Sequence, residues 1–172
     1  AWTPIGYKDS YLGSYRWEFN GQGHTVYGLR ITDIPSGSTK AALGLFGVVQ
    51  RGGKVQGVNV QGSIQLDSVN VVSYVGGIAG YMAYGTSAVQ DCSSAVDITV
   101  QGFTSSTTDS SRFGGIVGYG NGDNVEISNC AYTGNLTVTS PFVTTNIAPK
   151  GIGGIVGEIS GTTVVRNCTN LG

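Results

Sequence analysis

Apolar and polar residues alternate along this chain in short runs, and the runs recur. Val96, Ile98 and Val100 are interleaved with Asp97 and Thr99. Val125 and Ile127 flank Glu126, Thr163 and Val165 repeat the pattern near the end, and Val55 and Gly57 near the start. A period of two residues puts one set of side chains on one face, which predicts half-buried β-strands. No helical period is sustained beyond two turns.

The runs sit at fixed offsets from a tetrapeptide, G-apolar-x-G, found at 44–47, 77–80, 115–118 and 154–157. Thirteen to fifteen residues beyond each start comes a second landmark: Asn59-Val60, Asp91-Cys92, Asn129-Cys130 and Asn167-Cys168. The three cysteines are spaced 38 residues apart. Six residues further lies an apolar position, Leu66, Ile98 or Leu136. Three landmarks kept in order mark a structural repeat, which is the first thing to seek in a chain of this kind.

Each repeat thus predicts three short strands separated by turns. None is long enough to bury a face alone, so equivalent strands must stack from one repeat to the next. The expected fold is all-β: a right-handed, single-stranded parallel β-helix of about four rungs, spaced by about 4.8 Å. Gly at stacked corners answers a need for positive φ or close chain approach. The column Asn59, Asp91, Asn129, Asn167 suits a left-handed turn and an amide ladder. Gln101 to Arg112 and Thr139 to Lys150 read as Ser/Thr-rich surface insertions.

Residues 1–172 form one domain on this reading, with 1–24 as N-terminal cap and entry segment and 25–172 as the repeats. Val26 aligns with Val55, Gly28 with Gly57, Leu29 with Val58 and Ile31 with Val60 in the second strand. Trp2, Trp17, Tyr7, Tyr11 and Tyr15 supply the bulk for closing the end of the core. The fourth repeat reaches Asn167-Cys168 and stops before its third strand, so the chain reads as a piece of a longer protein.

Composition sharpens this picture. Val plus Ile number 32 and Ser plus Thr 34, against 9 Ala and 7 Leu, which favours strands over helices. Gly reaches 29 of 172 residues without a three-residue period, which excludes collagen. Nine Lys plus Arg and a net charge of −1 argue against nucleic-acid binding. No apolar run approaches a membrane span, so no membrane insertion is expected.

Several segments together resemble proteins carrying the GLUG motif. They are the Trp2-Thr3-Pro4-Ile5-Gly6 opening, the block from Phe19 to Leu29, Gly44-Leu45-Phe46-Gly47, and the Gly114-Gly115-Ile116-Val117-Gly118-Tyr119 segment with its later Asn129-Cys130. Members of that family are multi-domain bacterial surface proteins, among them adhesin-like chains and the non-catalytic N-terminal regions of IgA-specific metallopeptidases. The resemblance implies an extracellular β-helix at the bacterial cell surface, used as a stalk or an interaction surface. Its partners would be a glycan or a host or cell-surface protein, beside neighbouring domains or repeats of the parent chain. It implies no catalytic residue and no cofactor.

Candidate chemistry is sparse. His24 is the one histidine, so a catalytic triad or a His-bearing zinc site would need it, yet it stands in a Gly-rich turn before a strand. Cys92, Cys130 and Cys168 lack C-x-x-C spacing and read as a free, buried thiol column. Gly120-Asn121-Gly122-Asp123-Asn124 is similar to a calcium-binding repeat but occurs once, and reads as a turn. Among the acids, Asp67 and Asp97 fall one column and one rung apart on the third strand, the one close pair available for glycoside chemistry. The following rung offers Asn135 and Thr137 instead, so no enzymatic activity is expected. Tyr81 and Tyr119 each follow the G-x-x-G landmark and should stack, with Tyr84 nearby. As exposed rings at rung spacing they form the candidate ligand platform. The expected function is adhesion or spacing without catalysis, the alternative a glycan-binding or vestigial polysaccharide-active β-helix attached to an enzyme.

Overall fold

The computed structural model describes residues 2–7, 13–35, 38–103, 110–139 and 149–172. The chain coils as a parallel β-solenoid of about four turns. An opening half turn contains β1 (Glu18–Asn20) and β2 (Thr25–Ile31). The first full turn runs through β3 (Lys40–Leu43), β4 (Phe46–Gln50), β5 (Lys54–Gln56) and β6 (Asn59–Leu66). The second repeats it as β7 (Val72–Gly76), β8 (Ala79–Ala83), β9 (Ser87–Gln90) and β10 (Ser93–Val100). In the third, β11 (Arg112–Gly114), β12 (Val117–Gly122) and β13 (Val125–Ser128) precede β14 (Ala131–Tyr132) and β15 (Leu136–Val138), which share the last side. The final turn has β16 (Gly151–Gly153), β17 (Val156–Gly161), β18 (Val164–Arg166) and β19 (Thr169–Asn170).

Equivalent strands join in four parallel sheets: β3-β7-β11-β16, β4-β8-β12-β17, β1-β5-β9-β13-β18, and β2-β6-β10-β14-β19 with β15 also on β10. Each repeat therefore has four sides, one more than the alternation pattern indicates. The additional side is the strand before each G-x-x-G. It was hidden because β7, Val-Ser-Tyr-Val-Gly, is covered on both faces along most of its length, and a strand buried on both faces loses its two-residue signature. Arg112 begins such a strand and is buried, which corrects its assignment to a surface insertion. The rest of the two insertions falls mostly on 104–109 and 140–148, outside the described residues, as do Tyr11, Asp9 and Asp109.

The interior is a set of side-chain ladders. Leu45, Ile78 and Ile116 stack fully buried, with Ile155 against them. Phe19, Val55, Val89, Ile127 and Val165 form a second ladder, in successive register from β1 to β18. Burying an aliphatic side chain contributes roughly 1.5–3 kcal/mol, and each ladder repeats that gain turn by turn.

The first repeat is shifted by two residues from the register read in the sequence. Asn59 pairs with Ser93, which places Val58 rather than Val60 beside Cys92. Ile64, not Leu66, stacks on Ile98 and so on Leu136. Gly57, with φ of 61°, fills the left-handed corner that Asp91 (53°), Asn129 (54°) and Asn167 (52°) fill later. The amide ladder exists on those three: Asn129 donates to Asp91 at 2.9 Å, and Asn167 to Asn129 at 3.2 Å.

The N-terminal segment also differs from expectation. Phe19 pairs with Val55 through β1, and β2 runs on β6 with Val26 on Val60 and Ile31 on Ile64, so coiling begins at Glu18 rather than residue 25. Ile5 and Tyr15 bridge in parallel to Phe46 and Val49, extending the second sheet past β4. The rings of Tyr15 and Phe19 cover Phe46 at centroid distances of 4.8 and 5.4 Å. The tryptophans do not close the core: Trp2 and Trp17 are 38% and 63% exposed.

Candidate functional site

At each G-x-x-G the chain folds back so that the outward faces of the first two sheets meet outside the main core. The glycines permit this by close approach, since none of the eight lies in the left-handed region. A Cβ on Gly118 would stand 2.5 Å from the Val75 backbone nitrogen and 2.6 Å from the Gly80 carbonyl oxygen. The groove between the two faces holds its own buried cluster of Ala42, Val48, Tyr74, Tyr81 and Ala83, with Tyr119 packed on it.

The groove fills in a graded way from turn to turn. One wall carries Val48, Tyr81, Tyr119 and Glu158 in register. The other carries Ala42, Tyr74, Arg112 and Gly151. Tyr81 and Tyr119 lie stacked, 5.4 Å between centroids and 10° between planes, as the spacing predicts. Tyr74 closes on both at 5.1 and 5.4 Å. The Arg112 guanidinium stands 4.2 Å from the Tyr119 centroid, bonds Glu158 at 2.9 Å, and donates to the Ser110 carbonyl. Lys150 reaches the other Glu158 oxygen at 3.4 Å. Only about 20 Å³ remains open beside Tyr7, Lys40 and Tyr74.

These contacts divide the expected tyrosine platform. Tyr81 is 6% exposed and Tyr119 half-buried, so they present no open stripe of rings. Their hydroxyls join a rim chain: Tyr119 meets Ser160 at 3.0 Å, Ser160 donates to Asn121 at 2.6 Å, and Asn121 faces the Tyr81 hydroxyl at 3.4 Å. Tyr84 lies apart, just past the end of β8 on a convex corner, and is 53% exposed.

That corner has a column of its own. Arg51 donates its backbone N–H to Tyr84, and Gly122 and Gly161 continue the register. The Arg51 guanidinium is 5.8 Å from the Tyr84 centroid on the side of the earlier turn. On the side of the later turns the column carries no side chain. An open cleft of about 670 Å³ results, bordered by Tyr84, Arg51, Asn121 and Asp123. Sequence inspection singled out Tyr84 and the segment 120–124 separately. The register Tyr84–Gly122 joins them, by the same 38-residue spacing that pairs Tyr81 with Tyr119.

The other candidates are dispersed. Asp67 and Asp97 are not one column apart: Asp97 pairs with Ser63, four residues before Asp67, and the Asp67 carboxylate accepts from Gln101 at 2.8 Å. Asp97 accepts from the Asn135 backbone and side chain. The two-residue shift of the first repeat moves Asp67 from two residues to four residues beyond the position opposite Asp97. Among the described residues no three His, Cys, Asp or Glu side chains converge. His24 stands in the turn before β2, where its carbonyl accepts the Asn59 N–H. Within 120–124, Gly120 to Gly122 belong to β12, and Asn124 turns the corner at φ of 60°.

The cysteines are free, Cys92 and Cys130 buried and Cys168 partly so. Their thiols donate to the carbonyls of Gln90, Ser128 and Arg166 two residues earlier, at 3.0–3.3 Å. Contact with the Cys92 thiol, and then burial, push the Cys130 thiol up, and burial does the same to Cys168. The hydrogen bond between the two thiols pushes Cys92 the other way, down; held protonated, the Cys130 and Cys168 thiols are poor nucleophiles. No helix among the described residues is long and apolar enough to cross a membrane. No known protein family, curated protein or solved structure matches the chain.

Proposed function

We propose that this chain is a non-catalytic module of a bacterial surface protein, related to the GLUG-motif chains and exposed outside the cell, which acts in adhesion or as a spacer. The observation that carries the reading is the conversion of sequence repeats into successive turns of four continuous sheets. Such a coil gains length with each repeat and displays a fixed outer surface. The separation of Asp67 from Asp97 adds support, because glycoside chemistry needs two carboxylates facing one bond. The motif glycines have a structural task at the fold-back, which accounts for their recurrence without a reaction.

The test is to coat beads with the 172-residue chain and measure their attachment to host cells and to immobilised glycans. Soluble polysaccharides are incubated in parallel and assayed for new reducing ends. Attachment without new ends supports an adhesive module; neither attachment nor new ends supports a spacer. Formation of new reducing ends would overturn the non-catalytic reading.

A further inference from the structure

The Tyr84 corner has a feature that packing does not explain. Among the described residues, seven non-glycine residues adopt positive φ: Gln22, Arg51, Tyr84, Asp91, Asn124, Asn129 and Asn167. Four of them are Asp or Asn, which tolerate the left-handed region well. Arg51 (53°) and Tyr84 (49°) are bulky, and they occupy the same column. Such residues cost on the order of 1–3 kcal/mol where they are strained. Tyr84 recovers little of this by burial, since half of it faces solvent. Gly122 and Gly161, the next two members of the column, carry no side chain that would narrow the space beside the ring.

The groups around this space have a definite chemistry. The tyrosine ring offers an apolar face with a polar tip. The Asp123 carboxylate borders the cleft and, among the described residues, forms no ion pair. It can accept two hydroxyl hydrogens, while Arg51 can donate. One cation and one anion cancel, so the site favours a ligand that is neutral and rich in hydroxyls. Two empty column positions span about 10 Å at the usual strand spacing, the length of one to two pyranose rings. The open cleft of about 670 Å³ has room for them.

We infer that the cleft beside Tyr84 is a subsite for a neutral sugar of a glycan chain, its C–H face stacked on the Tyr84 ring and its hydroxyls held by Asp123 and Arg51. The inference rests on the adhesive reading of the module and gives it a ligand class. The packed stack of Tyr74, Tyr81 and Tyr119 does not line the cleft and takes no part in binding.

The experiment screens the 172-residue chain against neutral, acidic and amino-sugar glycans, then titrates the best neutral ligand against variants. Tyr84→Gly should weaken binding about tenfold while melting at the parent temperature or above, because glycine relaxes the corner. Asp123→Asn should weaken it about threefold, and Tyr119→Phe should leave it unchanged. Failure to bind any neutral glycan, preference for acidic glycans, or full binding by Tyr84→Gly would each overturn the subsite. Cell attachment that survives both Tyr84→Gly and enzymatic deglycosylation would overturn the subsite while keeping an adhesive module with a protein partner. New reducing ends would instead remove the non-catalytic reading on which the subsite stands.

Discussion

Tyr81 and Tyr84 are three residues apart, yet one is packed among rings and the other is open to solvent. Tyr81 faces outward from the core on β8, but its sheet is folded against a second sheet, so outward there means into a groove. Tyr84 lies one residue past the end of the same strand, at a convex corner where nothing folds back. The groove contains rings, a guanidinium and a carboxylate that satisfy one another. The corner has a solvent-exposed ring bordered by polar side chains along an open cleft. Facing away from the core is therefore no guide to availability in a coil with a reflex bend; the glycines that make the bend decide it.

The largest effect should come from closing the bend. Gly118→Ala puts a methyl group 2.5 Å from the Val75 backbone nitrogen, and the backbone there is held in two ladders. A loss of roughly 3–4 kcal/mol is expected in denaturant melts, at the upper end of overpacking costs. A loss below about 1 kcal/mol would mean the two sheets are not in such close contact.

Next comes the direct comparison of the two tyrosines. Tyr81→Ala should cost about 2–3 kcal/mol, since a buried ring and its stacking partners are lost. Tyr84→Ala should change stability by less than about 0.5 kcal/mol. Equal costs would erase the distinction between groove and corner.

Arg112→Ala should cost about 1–2 kcal/mol, from the lost stacking on Tyr119 and the lost bond to Glu158. Glu158 keeps Lys150 and some contact with water, which holds the cost below that of an orphaned charge. Arg112 is shielded, so the cost should change little between low and high salt, whereas a surface pair would weaken. The smallest effect is on backbone strain: Tyr84→Gly should leave stability unchanged or raise it by up to about 1 kcal/mol, measured by thermal melting.

The fold was largely readable because its landmarks are obligatory. The G-x-x-G glycines cannot carry a Cβ, and the cysteine column admits only small side chains, so both persist through the repeats. The first repeat misled because Gly57 and the Asx residues solve the same left-handed corner, and Asn59, two residues on, imitated the wrong member. The fourth side of the coil escaped notice because burial on both faces erases alternation. Of the candidate site, the stacking of Tyr81 on Tyr119 followed from spacing alone. Their burial did not, because Arg112 reaches them from a strand that spacing had not shown. The cleft beside Tyr84 depends on Gly122 standing in register with it, which is the same 38-residue spacing that stacks Tyr81 on Tyr119; what spacing does not show is that the corner beside the ring stays open.

The four sheets have a mechanical consequence. Their hydrogen bonds run along the axis of the coil while the strands run across it. Tension along the axis therefore falls on the bonds joining one turn to the next, and a turn that parts does so as a unit. One such turn holds 38 residues, which extend to roughly 125–137 Å of free chain. In the coil it occupied about 4.8 Å of axial length. A module gripped at the Tyr84 corner and anchored through its later turns would yield by unspooling those turns singly, shedding load at each step, while the turns on the far side of the grip stay slack and wound.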